Sequence, residues 1–476
     1  MIAISGQLLT IFEAGRLIAA RRLSPVELTM DCLRRIEALE PQVQAWVTVD
    51  AEGALRAAKE AERLQMKGGL LSPLHGIPFG VKDIICTAGM RTSGGSRVNG
   101  DYVPDYDAAV VERLKRAGAI LLGKTTTTEY AYQGGEPPTR NPWRLSHTPG
   151  GSSSGSAAAV AAGMALFTLG TQTFGSLIRP AAYNGLTCMK PTFGRISRYG
   201  VFTASWTLDH IGAFTRTVED NAIVLEALTG ADDRDPSTLT GPVPSYTSAM
   251  RRDIKDMVVG LPDPDGFFRP EVASIGQAAA AAEGVLRALG VQFKTIKLPN
   301  CIDEAVAAHK MTMRAEGAAY HMDSYREQPE RYGPAMREQL ELGLELSAAD
   351  YLRAQRVRTV FRRGMMELFG EVDALLTPAT PTLPLAGYKT GNPMFNGPFT
   401  NTGLPAMTVP AGMDSETGLP IGVQLAGPLL GEETLLALGH RYQEATSWHL
   451  RTAPMVSESE SVYRLSESER YKEERT

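Results

Sequence analysis

Between Thr148 and Pro191 the chain carries a glycine–serine loop, a run of small residues and a second serine set among glycines. The first part reads T-P-G-G-S-S-S-G-S-A-A-A-V-A-A-G, the second G-T-Q-T-F-G-S-L-I-R-P-A-A-Y-N-G-L-T-C-M-K-P. Ser152 and Ser176 both stand where the backbone is nearly bare of side chains. Such a serine can be approached closely by a substrate, and the N–H groups around it can hold an oxyanion. A serine hydroxyl is almost inert at neutral pH unless a base takes its proton. No obvious histidine partner lies nearby, and that absence points to a lysine, with Lys82 in G-I-P-F-G-V-K-D as the candidate.

The 476 residues, 43% of them hydrophobic, are enough for one large α/β domain or two or three smaller ones. A formal net charge of −5 gives no electrostatic reason to expect nucleic acid binding. Cys32, Cys86, Cys188 and Cys301 show no C-x-x-C spacing and read as free thiols of a reducing compartment. The first twenty residues lack a basic leader and are broken by Glu13 and Arg16, unlike a secretion signal. No run of about 18 apolar residues exists to span a membrane. The expectation is a cytoplasmic protein.

Ser24-Pro25-Val26-Glu27 reads as a helix start. Ser24 caps, Pro25 loses no needed N–H, Glu27 reaches back, and Leu23 and Leu28 form a staple. This helix is expected to stop before Pro41, and a second covers roughly Glu52 to Gln65. Residues 1–66 are thus expected to form a helical arm. From Leu74 on, β-branched runs alternate with helical patterns, which implies an α/β sheet with crossover helices. Met257 to Ile296 reads as one β-α-β unit. Residues 301–369 are mostly helical and read as an insertion or lid. The main domain is expected over 67–454, with a polar tail at 455–476.

Several stretches, in order, resemble the amidase signature family of Ser–cisSer–Lys hydrolases. They are G-I-P-F-G-V-K-D, G-K-T-T-T-T-E-Y-A after Gly123, the double-serine region, L-D-H-I-G, N-T-G-L-P-A and G-L-P-I-G-V-Q-L. The resemblance implies one large domain around a twisted, mixed β-sheet flanked by helices. It implies Ser176 as nucleophile, Ser152 as the serine with a cis peptide bond, and Lys82 as the neutral base, with Gly151, Ser153 and Thr171 in support. Burial among Phe79, Val81, Ile84 and Ile85 would keep Lys82 neutral. The oxyanion hole would be the N–H groups of Thr173, Phe174, Gly175 and Ser176. An acyl- or carbamoyl-enzyme on Ser176, cleaving a C–N bond, follows from these roles.

The chain departs from the usual family pattern G-T-D-x-G-G-S-x-R. Gln172 replaces the acid, Phe174 a glycine and Ile178 the base, with Arg179 one place later. Acid and base are lost together, so a neutral arrangement is expected in place of a salt bridge. Phe174 either fills a core pocket or walls the substrate site. Tyr130, Gln133, Phe174, Ile178, Trp206, Phe399 and Asn401 lie in or near pocket segments, and favour an apolar or aryl amide or carbamate. The rival reading is the glutaminase subunit of a tRNA-dependent amidotransferase. Gln339, standing where that branch has an arginine, counts against it. A non-catalytic scaffold would be expected to have lost one of Lys82, Ser152 and Ser176.

Three other motifs lead elsewhere. Gly118 to Thr125 matches a phosphate loop, but its apolar middle follows a helix and forms a strand, the reverse of what that loop needs. Gly151-Ser152-Ser153-Ser154-Gly155 matches a nucleophile elbow without the buried strand before it. The seven histidines offer no metal-ligand spacing. No metal or cofactor is expected, and the partners expected are a small-molecule substrate, neither nucleic acid nor membrane, and at most a second copy of the chain.

Overall fold

In the computed structural model, which describes residues 8–132 and 134–456, eleven strands form one mixed sheet. In chain order they are β1 (Trp46–Val49), β2 (Pro78–Lys82), β3 (Ile120–Thr125), β4 (Phe167–Gln172), β5 (Thr187–Lys190) and β6 (His210–Thr215). Then come β7 (Val258–Pro262), β8 (Gln292–Ile296), β9 (Ala374–Pro378), β10 (Ala406–Met413) and β11 (Pro420–Ala426). Their order in space is β1-β3-β2-β4-β6-β5-β10-β11-β9-β7-β8. Every residue of β2, β4, β5, β6 and β11 is buried, as strands covered on both faces by helices must be. The two-residue periodicity of a half-exposed strand is therefore missing from the centre of the sheet.

Helices form where the sequence supplies caps. Ser24 Oγ accepts the N–H groups of Val26 and Glu27, and the Glu27 carboxylate accepts the N–H of Ser24, a complete capping box. That helix, Pro25–Val43, runs through Pro41 rather than stopping before it. In its last turn a proline forfeits one hydrogen bond while its fixed φ suits the helix. The β-α-β unit is present: β7 and β8 pair in parallel around the helix Ala273–Ala288. Residues 302–368 carry three α-helices, Ile302–Glu327, Pro334–Leu344 and Ala348–Leu368; the first packs on the other two and on the short helix Gly397–Asn401. Of the tail expected at 455–476, everything after Val456 lies outside the described residues, as does Gln133.

β2 and β4 are parallel neighbours, and β6 runs antiparallel beside β4. Lys82 is the last residue of β2, Gln172 the last of β4, and His210 the first of β6. The carboxyl ends of two parallel strands and the start of a third thus meet at one place. Open sheets characteristically offer binding crevices outside such carboxyl ends.

Candidate active site

Lys82 Nζ lies 2.7 Å from Ser152 Oγ and 2.9 Å from Thr171 Oγ1, and is wholly buried. Burial holds its ammonium well below the ordinary lysine value, while the buried Asp209 carboxylate acts in the opposite direction. Asp83, its neighbour in sequence, turns away: its carboxylate accepts the N–H and Oγ of Ser93 and faces Lys124 at 3.9 Å. The Gly151–Ser152 peptide bond is cis. Ser153 Oγ bonds the carbonyl of Thr171 at 3.1 Å, joining the start of the helix Ser154–Ala161 to β4. Only glycine fits at 155, where a Cβ would stand 2.1 Å from the carbonyl oxygen of Ala45.

The loop after β4 is held from three sides. Gln172 Oε1 accepts the N–H groups of Leu177 and Ile178, and its Nε2 donates to Thr400 Oγ1 at 2.8 Å. Thr400 Oγ1 in turn donates to the carbonyl of Phe174 at 2.9 Å, and Thr173 Oγ1 donates to Asp209 Oδ1 at 2.6 Å. The N–H groups of Thr173, Phe174, Gly175 and Ser176 donate to no acceptor among the described residues. They are free to receive a developing oxyanion. At Gly175 a Cβ would meet Asn396 Oδ1 at 2.5 Å, which fixes glycine there. Ser176 ends this loop; no hydrogen bond joins it to Ser152.

The neutral arrangement expected at Gln172 is thus a side-chain amide that caps the next helical turn. Arg179 has moved to a different task. Its guanidinium donates to the carbonyl of Gly151, the carbonyl of the cis peptide, and to that of Gly391 at 2.7 Å. It has no carboxylate partner, and burial lowers it to about 10.

Thr171 and Thr173 form part of the wall of a cavity of about 470 Å³, with Ile84, Phe202, Ala204, Trp206, Asp209 and Arg198. Among the expected pocket residues, Trp206 lines this cavity. Asn401 lines an adjoining one of about 410 Å³, beside Arg358 and Arg362. Tyr130 instead packs its ring on His321 and Phe202 and bonds Asn99. Ile178 and Phe399 are wholly buried in an apolar cluster, Phe399 stacked on Phe268. Phe174 is buried too, its ring 4.4 Å from His309 and 2.4 Å from where a Cβ on Gly397 would stand. It fills a gap that glycine opens on the helix Gly397–Asn401 and lines neither cavity. Gln339 bonds Arg314 at 3.0 Å in a contact between helices. The base at the second cavity is the half-buried Arg358, bonded to Thr207, Gln355 and the Asn401 carbonyl and lowered by desolvation.

Sequence reasoning missed Asp209, Arg358 and the carbonyl-holding role of Arg179. Asp209 stood inside the quoted L-D-H-I-G motif, the one available signal. Among the described residues, no group of three or more His, Cys, Asp or Glu could hold a metal ion, and no helix is long and apolar enough to cross a membrane.

A buried lysine, two serines and bare N–H groups at one end of a mixed α/β sheet are the groups that an acyl-transfer site needs. A family model described as Amidase matches residues 27–436, and the chain belongs to that family of amide-bond hydrolases. It is 42% identical to a protein of Roseiflexus sp. (strain RS-1) named as a subunit of glutamyl-tRNA(Gln) amidotransferase, across 93% of this chain and 97% of that one. A namesake from Geobacter metallireducens is 40% identical across 94% and 99%. Among solved structures, the peptide amidase of Stenotrophomonas maltophilia superposes with a TM-score of 0.81 at 30% identity, covering 92% of this chain and 96% of that one. The expectation that nucleic acid plays no part beside a small substrate and a second copy is overturned here. The net charge of −5 on which it rested describes one chain, whereas the relatives are named as subunits of an enzyme whose substrate is a tRNA.

Proposed function

We propose that the chain is the amide-hydrolysing subunit of a glutamyl-tRNA(Gln) amidotransferase, releasing ammonia from glutamine. The observation that carries this reading is near-end-to-end similarity, at about 40% identity, to proteins of that name. Neutral Lys82 takes the proton of Ser152 as Ser152 takes that of Ser176. Ser176 Oγ bonds the amide carbon, and the oxyanion rests on the N–H groups of residues 173–176. The relay then returns the proton to the leaving nitrogen, the C–N bond breaks, and ammonia departs. Water repeats the sequence to free the carboxylate. Arg358, whose charge helps lower the value of His309, the residue packed on Phe174, offers a guanidinium fixed by Thr207, Gln355 and Asn401 for the glutamine α-carboxylate. The four cysteines are unpaired, in keeping with a reaction in the cytoplasm.

A second reading has its own support. Val201, Phe202 and Trp206 on the cavity wall, and the likeness to a peptide amidase, favour independent hydrolysis of an apolar or aryl amide or carbamate. Ammonia release from glutamine, measured beside aryl anilides, peptide amides and aryl carbamates, separates the two. The assays run with and without the remaining amidotransferase subunits. Glutamine hydrolysis that those subunits accelerate supports the first reading. Rapid cleavage of apolar amides with none of glutamine under either condition overturns it. In both cases a fluorophosphonate should label Ser176, and Ser176→Ala should abolish turnover; an adduct on Ser153 refutes the assignment of the nucleophile.

A further inference from the structure

Two buried ionisable groups, Lys82 and Asp209, are each bonded to a threonine on the wall of one cavity, without touching one another. Lys82 Nζ donates to Thr171 Oγ1, and Asp209 Oδ1 accepts from Thr173 Oγ1. Thr171 and Thr173 are two residues apart where β4 ends, so their side chains share a face at a spacing of roughly 7 Å. Both threonines and Asp209 line the cavity of about 470 Å³. The second carboxylate oxygen of Asp209 accepts the N–H groups of Ala204 and Ser205, each at 2.9 Å. No cation bonds it: Arg198 is spent on Asp235, Ser237 and the Trp206 carbonyl. A buried carboxylate with three donors and no ion-pair partner is expensive to keep, and the relay described above gives it no proton to carry.

We propose that Asp209 is a positioning residue of the relay: a fixed counter-charge for the positive charge that develops on Lys82 as Ser176 attacks, and the anchor of the oxyanion loop through Thr173. The proposal rests on the reading of Lys82, Ser152 and Ser176 as that relay. No bond forms or breaks at Asp209. The proton passes from Ser176 to Ser152 and from Ser152 to Lys82, and Asp209 makes the resulting lysinium less costly in a site that excludes water. The other titratable groups bearing on this carboxylate are the phenols of Tyr132 and Tyr320, the Arg198 guanidinium, His210 on the same cavity wall, and Glu316, which holds Ser205 and Thr207.

The test uses the rate of Ser176 labelling by a fluorophosphonate as a function of pH, which needs no knowledge of the natural substrate. Lys82 must be neutral for the relay to work, so the acid limb of that profile reports its titration. Asp209 raises the Lys82 value, so removing its charge lowers it. Asp209→Asn, which keeps an acceptor for Thr173, should move the acid limb down by about one pH unit and slow the plateau by roughly ten- to a hundredfold. Asp209→Ser should move the limb in the same direction, which keeps the test decisive should the first variant not fold. Thr173→Val removes the anchor without the charge, so it should slow the plateau and leave the limb in place. An acid limb unmoved in folded Asp209→Asn or Asp209→Ser overturns the proposal. So does an equal displacement in Thr173→Val. Failure of the underlying relay looks different: Ser176 in the unaltered chain would not be labelled, or Lys82→Ala would be labelled at the normal rate.

Discussion

At the scale of single residues, the proposed relay depends on one lysine whose value burial lowers and which is held 2.7 Å from a serine. Lys82→Ala should therefore cost several orders of magnitude in the acylation of amides, and less for esters. An amine must be protonated as it leaves, whereas a phenoxide needs little help. Comparing kcat/KM for a matched anilide and phenyl ester checks this, and equal losses on the two would count against the relay. Phe174 makes a different kind of prediction. Its ring sits between His309 and Gly397 and lines neither cavity. Phe174→Gly should cost roughly 3–5 kcal/mol of stability and leave the ratio of small to bulky substrates unchanged. A constant melting temperature with an altered substrate ratio would reverse that conclusion. The glycine–serine motifs marked Lys82, Ser152 and Ser176 as candidates in the sequence, because the chemistry proposed for them needs particular residue types in bare backbone, and the structure brings Lys82 and Ser152 together. Phe174 was ambiguous because core and pocket wall ask the same of a phenyl ring. Asp209 and Arg179 were hidden for another reason: what they do depends on the carbonyls, N–H groups and hydroxyls that distant segments bring to them.

Among the elements, those with local punctuation could be read directly. The capping box at Ser24, the glycine after the helix Ala273–Ala288, and the alternation around β2 and β3 all carry their signal within a few residues. β1 went unread, being only four residues long and bonded to β3 at the edge of the sheet. The run past Pro41 was equally invisible, since packing of Leu39 and Val43 outweighs one lost hydrogen bond. Together with Arg358, one carboxylate ties the helical layer 302–368 to the turn before Asp209. Glu316 accepts from Ser205, from the N–H and hydroxyl of Thr207, at 3.0 and 2.8 Å, and from Tyr351 at 2.7 Å. Those residues precede Asp209 in the same turn. Glu316→Gln keeps the volume but must turn a donor toward groups that already donate, and should cost roughly 1–3 kcal/mol. Hydrogen exchange at the Thr207 amide should quicken while that of β4 stays slow. Unchanged exchange at Thr207 would show that the turn is held by its own bonds alone.

Over the whole molecule, the class of fold was legible and the order of its strands was not. The alternation of apolar runs and helices implied a mixed sheet with crossovers, yet β10 and β11 arrive late in the chain to lie between β5 and β9. Pairings of that range leave no mark on local composition. The same architecture buries three lysines, Lys82, Lys124 and Lys190, and burial lowers all of them, Lys124 to about 8 and Lys190 to about 7. Lys190 donates to the carbonyls of Pro191 and Leu404, so it can stay neutral without leaving either oxygen unpaired. A lysine whose folded value is depressed contributes stability above its unfolded value near 10.5, and that contribution is lost as pH falls toward the folded value. Between pH 7 and 8.5 the unfolded chain therefore binds more protons than the folded one, and stability should rise with pH. The slope has an upper limit of about 1.4 kcal/mol per pH unit for each such lysine. Asp220, raised to about 7 by burial, opposes this trend near pH 7. Buried thiols such as Cys32 and Cys188 oppose it from about pH 8 as their unfolded counterparts ionise, so the lysines' gain is the larger part only while those terms stay small. Urea unfolding at pH 7.0 and 8.5 should show the gain. Lys190→Met, which keeps the length of the side chain and cannot titrate, should flatten the slope, and a slope as steep in that variant as in the unaltered chain would mean that Lys190 is charged in the folded protein.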